Sequence, residues 1–336
     1  MNEKLTVAVI GAGNIAGGFD EKSSNTNAVY THCGAYSKHG GFVLKSIFDI
    51  DIKKGCKFAK VWNVENICDN EALIVKGYHD IISICSPDEF HFQTLKDILN
   101  YKSCKTVFVE KPLGLNINEV KEISELSEKC NINIVVNFQR HFDEIYEKLN
   151  LKSQKILTVN CFYVKGLKHN GVTMIDTLVM LFGLPEKVYG YNKIHNKLIN
   201  DFTYEFILFY NKFNITVKTI DEELYYNYHI FDVDILTDSG RLTITDNGNI
   251  LYKKGINLYD YDCVNVLESD GAKENMGYKK SMLNAANYIY DITMKTNQHT
   301  KNMVNDYLNN HIIIEKIIDS YGEQKILDFE EQLWKK

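Results

Sequence analysis

The chain has 336 residues, 45% of them hydrophobic and 24% charged, with a formal net charge of −6. That length supports two hydrophobic cores, and an acidic balance without a long basic run argues against nucleic-acid or anionic-membrane partners, which need clustered Lys and Arg. The eight cysteines (Cys33, Cys56, Cys68, Cys85, Cys104, Cys130, Cys161, Cys263) form no C-x-x-C pair and read as small apolar residues of a reducing compartment.

Residues 5–10 are a short, β-prone apolar run and predict a buried strand. It lies so close to residue 1 that no signal peptide is expected. No apolar stretch is long enough to span a bilayer, so a cytoplasmic protein without membrane partners is predicted. The strand opens onto Gly11-Ala12-Gly13-Asn14-Ile15-Ala16, the G-x-G-x-x-A form of the dinucleotide fingerprint, whose glycines let backbone amides approach a pyrophosphate. The polar stretch 20–27 reads as a loop inserted before a helix at 30–37 and folding over the cofactor. A second strand at 42–48 ends on Asp49, a carboxylate placed to accept from both adenosine-ribose hydroxyls and to repel a 2′-phosphate. NAD is thereby preferred to NADP, with Lys53 and Lys54 as the competing signal.

A third strand at 80–85 runs into Ser86-Pro87-Asp88, where Ser86 or Asp88 caps a helix carrying Leu95, Ile98 and Leu99 on one side. The strand at 106–109 releases Glu110-Lys111-Pro112. A lysine leaving a buried strand, followed by a proline that restrains the backbone, is placed as a working residue. A helix bearing Ile117, Val120, Ile123 and Leu126 follows, with Asn116 and Glu119 as a capping-box-like pair, then a strand at 132–136. This alternation predicts a doubly wound parallel sheet, a Rossmann domain over residues 1–138. Its ligand belongs at the strands' carboxyl ends, where Gly11, Asp49, Pro87, Lys111 and Asn137 fall.

From residue 155 strand runs dominate, at 156–164, 202–210, 213–220, 228–236 and 241–245. Phe231, Val233 and Ile235 alternate with Asp232 and Asp234, one face packed and one polar. Asn211-Lys212, Asp238-Ser239-Gly240 and Asn247-Gly248 supply turns. The expectation is an α+β domain over 139–336 with a large, mostly antiparallel open sheet, closed by helices at 275–295 and 302–321.

The fingerprint at Gly11, the stretch Ser86-Pro87-Asp88-Glu89-Phe90-His91, Glu110-Lys111-Pro112 and Val136-Asn137-Phe138-Gln139-Arg140 together, in this order, resemble the Gfo/Idh/MocA oxidoreductase family. The resemblance implies an N-terminal domain that binds NAD or NADP, with Gly11, Gly13, Asn14, Ile15, Ala16, Asp49, Ser86, Pro87, His91, Glu110, Lys111 and Asn137 on the cofactor. It implies proton transfer by Lys111 beside the nicotinamide, a frequently cis peptide before Pro112, and a C-terminal sheet that often pairs with another subunit, hence a homo-oligomer. His91 reads equally as a packing residue. The segment from His169 to Asp176 is similar to the family's substrate-site helix, but Thr173 stands where the family usually has histidine. A hydroxyl cannot exchange a proton at neutral pH as imidazole can, and His169, four residues earlier, reaches the same place if the first helical turn begins there.

Catalysis is therefore expected of Lys111, His169 and Asp176, and substrate binding of Lys111, Arg140, His169, Asn170, Thr173 and Asp176. Arg140 reads either as an anion ligand or as a brace. No metal is expected, since the histidines show no HExxH or comparable spacing. The implied reaction is reversible oxidation of a ring hydroxyl on a sugar or nucleotide-linked sugar. Two alternatives stand beside it: a cofactor-binding regulatory or assembly protein without turnover, motivated by Thr173, and a reductase of a non-sugar carbonyl or imine.

Overall fold

A computed structural model describes residues 4–23, 28–195, 201–220, 229–258, 265–294 and 303–329. The chain divides into two compact units, Met1–Asp143 with Tyr278–Leu308, and Glu144–Gly277 with Asn309–Lys336.

The first unit carries six parallel strands: β1 (Leu5–Ile10), β2 (Phe42–Phe48), β3 (Asn66–Cys68), β4 (His79–Ile84), β5 (Cys104–Val109) and β6 (Asn133–Val136). Their order is β3-β2-β1-β4-β5-β6, so the strand sequence reverses between β1 and β4. Val7, Val9, Ile81, Ile82, Val107 and Val109 are fully buried, which is why these strands read as continuous apolar runs rather than alternating ones. The helices between them are α1 (Phe19–Lys22), α2 (His32–His39), α3 (Ile52–Trp62), α4 (Ala72–Val75), α5 (Asp88–Tyr101) and α6 (Ile117–Lys129).

Helix α2 begins two residues later than the sequence pattern suggests. Thr31 is its N-cap, with Oγ1 accepting from Gly34 N at 3.0 Å. The Asp20 carboxylate accepts from Tyr30 N and Thr31 N, so residues 30 and 31 are held outside the helix by side-chain acceptors. Of the loop expected at 20–27, residues 24–27 lie outside the described residues. At α5 the expected cap is absent: Pro87 occupies the N-cap without a side-chain bond, and Asp88 is the first helical residue. At α6 the pair works nearly as expected. Asn116 Oδ1 accepts from Asn118 N and Glu119 N, while Glu119 reaches back to Leu115 N.

The second unit contains α7 (Glu144–Lys148), β7 (Ile156–Tyr163), α8 (Val172–Phe182), β8 (Lys187–Ile194), β9 (Thr203–Phe209), β10 (Asn214–Lys218), β11 (Phe231–Thr237), β12 (Gly240–Thr245), β13 (Ile250–Leu258), β14 (Asn265–Asn275) and β15 (Leu327–Asp328). These strands form one sheet in the order β14-β13-β12-β11-β7-β10-β9-β8-β15, antiparallel except where β7 runs parallel to β10. Val233 and Ile235 are buried while Asp234 is half-exposed and takes a bidentate bond from Arg241, 2.7 Å for each contact, matching the alternation. Strands β8, β13 and β14 escape the sequence pattern; Gly190 interrupts β8, and β14 contains Glu268-Ser269-Asp270-Gly271-Ala272-Lys273 with no apolar period. The expected strand start at Tyr228 lies outside the described residues.

The two C-terminal helices are α9 (Tyr278–Met294) and α10 (Met303–Glu323). Here the units differ from a division at residue 138. Helix α9 packs against α2 and against the turn at 139–142; Lys279 O accepts from Val29 N at 3.1 Å, and the Thr293 and Thr106 hydroxyls lie 2.8 Å apart. The sequence shows an amphipathic helix but not which core receives it, so residues 278–308 group with the first unit and not with a domain over 139–336.

Candidate active site

In the first unit the site is assembled by the ends of parallel strands. Gly11 N donates to Phe48 O and Cys85 N to Ile10 O, both at 2.8 Å, drawing the ends of β1, β2 and β4 together. Gly11 has φ +93°, and a Cβ there would lie 2.6 Å from Cys85 O, so only glycine lets the turn lie so close to β4. Gly13 differs: it is extended, and an added Cβ would meet nothing nearer than 3.8 Å. Its open face leads into the tight turn Asn14–Gly18, in which Ala16 is buried. Asn14, Ile15 and Ala16 thus supply the amides at the start of the turn, the place where a pyrophosphate is bound in such motifs.

Asp49, 8% exposed, stands at the end of β2. Its Oδ2 accepts from Ala12 N at 2.7 Å and faces Lys54 Nζ at 3.2 Å, and its Oδ1 accepts from Asp51 N at 2.9 Å. The carboxylate ties the glycine turn to the start of α3; of about four acceptor positions on its two oxygens, three are taken, leaving room for a ribose hydroxyl. Among the described residues, Ser86 Oγ and Asn137 Oδ1 are buried polar atoms without a hydrogen-bond partner, both beyond carboxyl ends of strands. The open face at Gly13, the acidic residue after β2 and these two atoms fit a dinucleotide along this edge.

Glu110, Lys111 and Pro112 follow β5, with a cis Lys111–Pro112 peptide. Burial pushes the Lys111 amine below its ordinary range; Glu110 and Asp88 pull it back up, and Arg140 presses it further down. His91, 1% exposed, clasps this loop: Nδ1 lies 2.7 Å from Pro112 O and Nε2 2.7 Å from Ser86 O, which fixes the connection after β5 against the start of α5. Asn137 Nδ2 donates to Glu110 Oε1. Arg140, 8% exposed, has its guanidinium 5.8 Å from the Tyr278 ring centre. Beneath Glu110 lies a group that sequence reasoning missed: His32, Ser83 and Tyr36, all fully buried. No local signal identifies it, since His32 and Glu110 are 78 residues apart.

In the second unit, His169 and Asn170 sit in the tight turn Gly166–Gly171 preceding α8. Asp201 fixes that turn, accepting from Lys168 N at 2.8 Å and His169 N at 2.9 Å. His169 itself is exposed, Thr173 half-buried, and Asp176 buried with its Oδ1 accepting from Asn310 Nδ2 at 2.9 Å. Next along α10 stands His311, whose titration burial lowers to about 4, with Lys168 adding to the effect. Neither Asn310 nor His311 is visible as a site residue in the sequence; they arrive from a helix more than a hundred residues away. Among the described residues no group of three or more His, Cys, Asp or Glu could hold a metal, and no helix is long and apolar enough to cross a membrane.

Residues 5–138 match the family model described as an oxidoreductase family with an NAD-binding Rossmann fold, GFO_IDH_MocA. The chain is similar to the uncharacterized oxidoreductase YrbE of Bacillus subtilis (strain 168), 27% identical over 150 residues, covering 44% of this chain and 40% of the relative. It is also similar to myo-inositol 2-dehydrogenase of Thermotoga maritima, 33% identical over 81 residues, 24% of each chain. The chain thus spans less than half the length of these curated relatives in alignment. Among solved structures, a levoglucosan dehydrogenase in complex with NADH and levoglucosan superposes with a TM-score of 0.78 over 97% of this chain and 99% of that one, at 14% identity; at that identity the likeness concerns the fold. Through the segment that carries the glycine turn, the serine-proline stretch and the Glu-Lys-Pro strand end, residues 5–138 of this chain resemble the Gfo/Idh/MocA oxidoreductase family.

Proposed function

We propose that the chain is an NAD-dependent oxidoreductase that reversibly oxidises a ring hydroxyl of a sugar or nucleotide-linked sugar. The observation that carries this reading is Lys111: a half-buried amine at a strand end, held below its ordinary basicity by burial, beside the edge that suits a dinucleotide. When bound, the nicotinamide supplies a hydride acceptor. Lys111 Nζ, in its neutral form, takes the proton of the substrate hydroxyl as the carbon loses its hydride, and returns it in the reverse direction. Gly11, Gly13, Asn14, Ile15 and Ala16 seat the pyrophosphate. Asp49 receives the ribose and disfavours a 2′-phosphate, and Ser86 and Asn137 offer polar atoms further along the crevice. Asp176, Thr173, Asn170 and His169 are the proposed hydroxyl-holding set, grouped on one turn and helix start of the second unit.

A substrate rich in hydroxyls is supported by the names of the similar proteins, an inositol dehydrogenase and a levoglucosan dehydrogenase. The exposed apolar side chains Phe162, Tyr252, Ile256 and Leu267 on the second unit's sheet support a further reading, pairing with a second copy of the chain. The test is a thermal-shift comparison of NAD with NADP, mass spectrometry of any co-purified ligand, and turnover against a panel of polyols, sugars and sugar nucleotides. Stabilisation by NAD with turnover on the panel is the expected result. Cofactor binding without turnover on any hydroxyl, carbonyl or imine substrate favours instead the reading in which Thr173 marks a binding protein that lost catalysis.

A further inference from the structure

Helix α2 delivers two side chains to the sheet from one face, His32 and Tyr36, four residues apart. Both reach Ser83 of β4: His32 Nδ1 lies 3.3 Å from Ser83 Oγ, and Tyr36 Oη lies 2.7 Å from it. The other ring nitrogen, His32 Nε2, lies 2.9 Å from Glu110 Oε1. Phe108 of β5 packs on the imidazole with ring centres 4.2 Å apart, which fixes its plane. Since a carboxylate only accepts, Nε2 carries the hydrogen. With that hydrogen on Nε2, a neutral ring accepts at Nδ1 from the Ser83 hydroxyl, and Ser83 accepts from Tyr36. Burial holds the Tyr36 phenol well above its ordinary range, so it remains a donor. The directions agree along the whole chain, Tyr36 to Ser83 to His32 to Glu110, and Asn137 adds a second donor to the same Glu110 oxygen.

We propose that His32 is a positioning residue: by donating from Nε2 to Glu110 Oε1 it fixes that carboxylate at the strand end and so sets the basicity of the neighbouring Lys111. The proposal rests on the reading of Lys111 as the proton acceptor. The chain holds and does not conduct, because it terminates at Tyr36, which is 1% exposed and offers no path to water. Other charged or titratable groups bear on the same place. Asp88 at the start of α5 and Arg140 act on Lys111 with opposite signs, and Tyr278, itself near Arg140 and Tyr30, feels Glu110, as does Cys85. Of the side chains around Glu110, His32 and Asn137 bind it directly, and His32 alone of these two is anchored at its far side by a second buried bond to a hydroxyl.

The test uses the full-length protein without substrate: trace acetylation across a pH series, with mass spectrometry of the peptide containing Lys111, reads the midpoint at which the amine becomes reactive. Glu110→Gln should lower that midpoint by about one pH unit, the scale of one nearby opposite charge. His32→Leu should lower it in the same direction, the double variant should go no lower than Glu110→Gln alone, and His32→Gln, whose amide nitrogen can donate to Glu110, should restore most of the shift. Should His32→Leu fail to fold, the paired variant Ser83→Ala with Tyr36→Phe removes both supporting hydroxyls and should shift the midpoint downward by less. A midpoint low in the native protein yet unmoved by the His32 and hydroxyl variants, or a His32→Leu shift that adds fully to that of Glu110→Gln, overturns the positioning role alone. A native Lys111 midpoint in the ordinary lysine range overturns the proton-acceptor reading on which the proposal rests.

Discussion

Gly11 and Gly13 lie two residues apart in the same turn, and the structure assigns them different reasons for being glycine. At Gly11, φ is +93° and a Cβ would lie 2.6 Å from the backbone oxygen of Cys85, just after β4. Gly11→Ala therefore adds backbone strain of about 1–3 kcal/mol and overpacking of about 1–3 kcal/mol. A combined loss of about 2–6 kcal/mol is a large part of a domain's typical stability of about 5–15 kcal/mol. At Gly13, φ is −81° and the methyl meets nothing nearer than 3.8 Å, so Gly13→Ala should change stability by no more than about 0.5 kcal/mol. The same methyl occupies the open face assigned to the pyrophosphate and should weaken NAD binding by about tenfold or more. Guanidinium denaturation followed by circular dichroism reads the first quantity, and titration calorimetry with NAD the second. If Gly13→Ala is destabilised as much as Gly11→Ala, or binds NAD as tightly as the native protein, the division of roles between the two glycines is wrong.

Three further outcomes are expected. The His311 titration is lowered by burial from 6.5 to about 4, so the unfolded chain takes up this proton first as pH falls. That removes about 3 kcal/mol of stability between pH 7 and 4; His311→Gln should flatten this part of a stability–pH profile, and an unchanged slope would refute the assignment. Asn116→Ala removes the acceptor for two amides at the start of α6 and should cost about 1 kcal/mol, read as a lower denaturation midpoint at unchanged m-value; no shift would deny the cap its role. Asp49→Ser releases Lys54 from its carboxylate partner and should raise the ratio of NADP to NAD affinity by about tenfold, measured by parallel titrations of the two cofactors; an unaltered ratio would place cofactor choice elsewhere.

The strands of the first unit were legible because burial on both faces writes a continuous apolar run, as in Leu5–Ile10 and Cys104–Val109, and because the fingerprint and the Glu110-Lys111-Pro112 exit fall where such strands end. The start of α2 lies later than its own pattern indicates because Asp20, a remote acceptor, holds the amides of residues 30 and 31 outside the helix. Strand β14 was invisible because its middle is polar and carries no period. The placement of α9 could not be read from its own pattern, since an amphipathic face does not name its partner. The same limit applies to the site. Lys111 and Asp49 announce themselves by position along the chain, whereas His32, Ser83 and Tyr36 become a unit only when α2 is laid on β4 and β5. The sequence marks Asp176 through its own segment, but its partner Asn310 comes from a distant helix.

In the proposed reaction Lys111 accepts the hydroxyl proton as hydride leaves the substrate. Single-turnover hydride transfer, followed by nicotinamide absorbance with the best substrate of the panel, tests it in the native protein and in Lys111→Ala. Lys111→Ala is expected to bind NAD with native affinity and to transfer hydride at least about a hundredfold more slowly, the usual scale for loss of a general base. Transfer by Lys111→Ala at the native rate would contradict it.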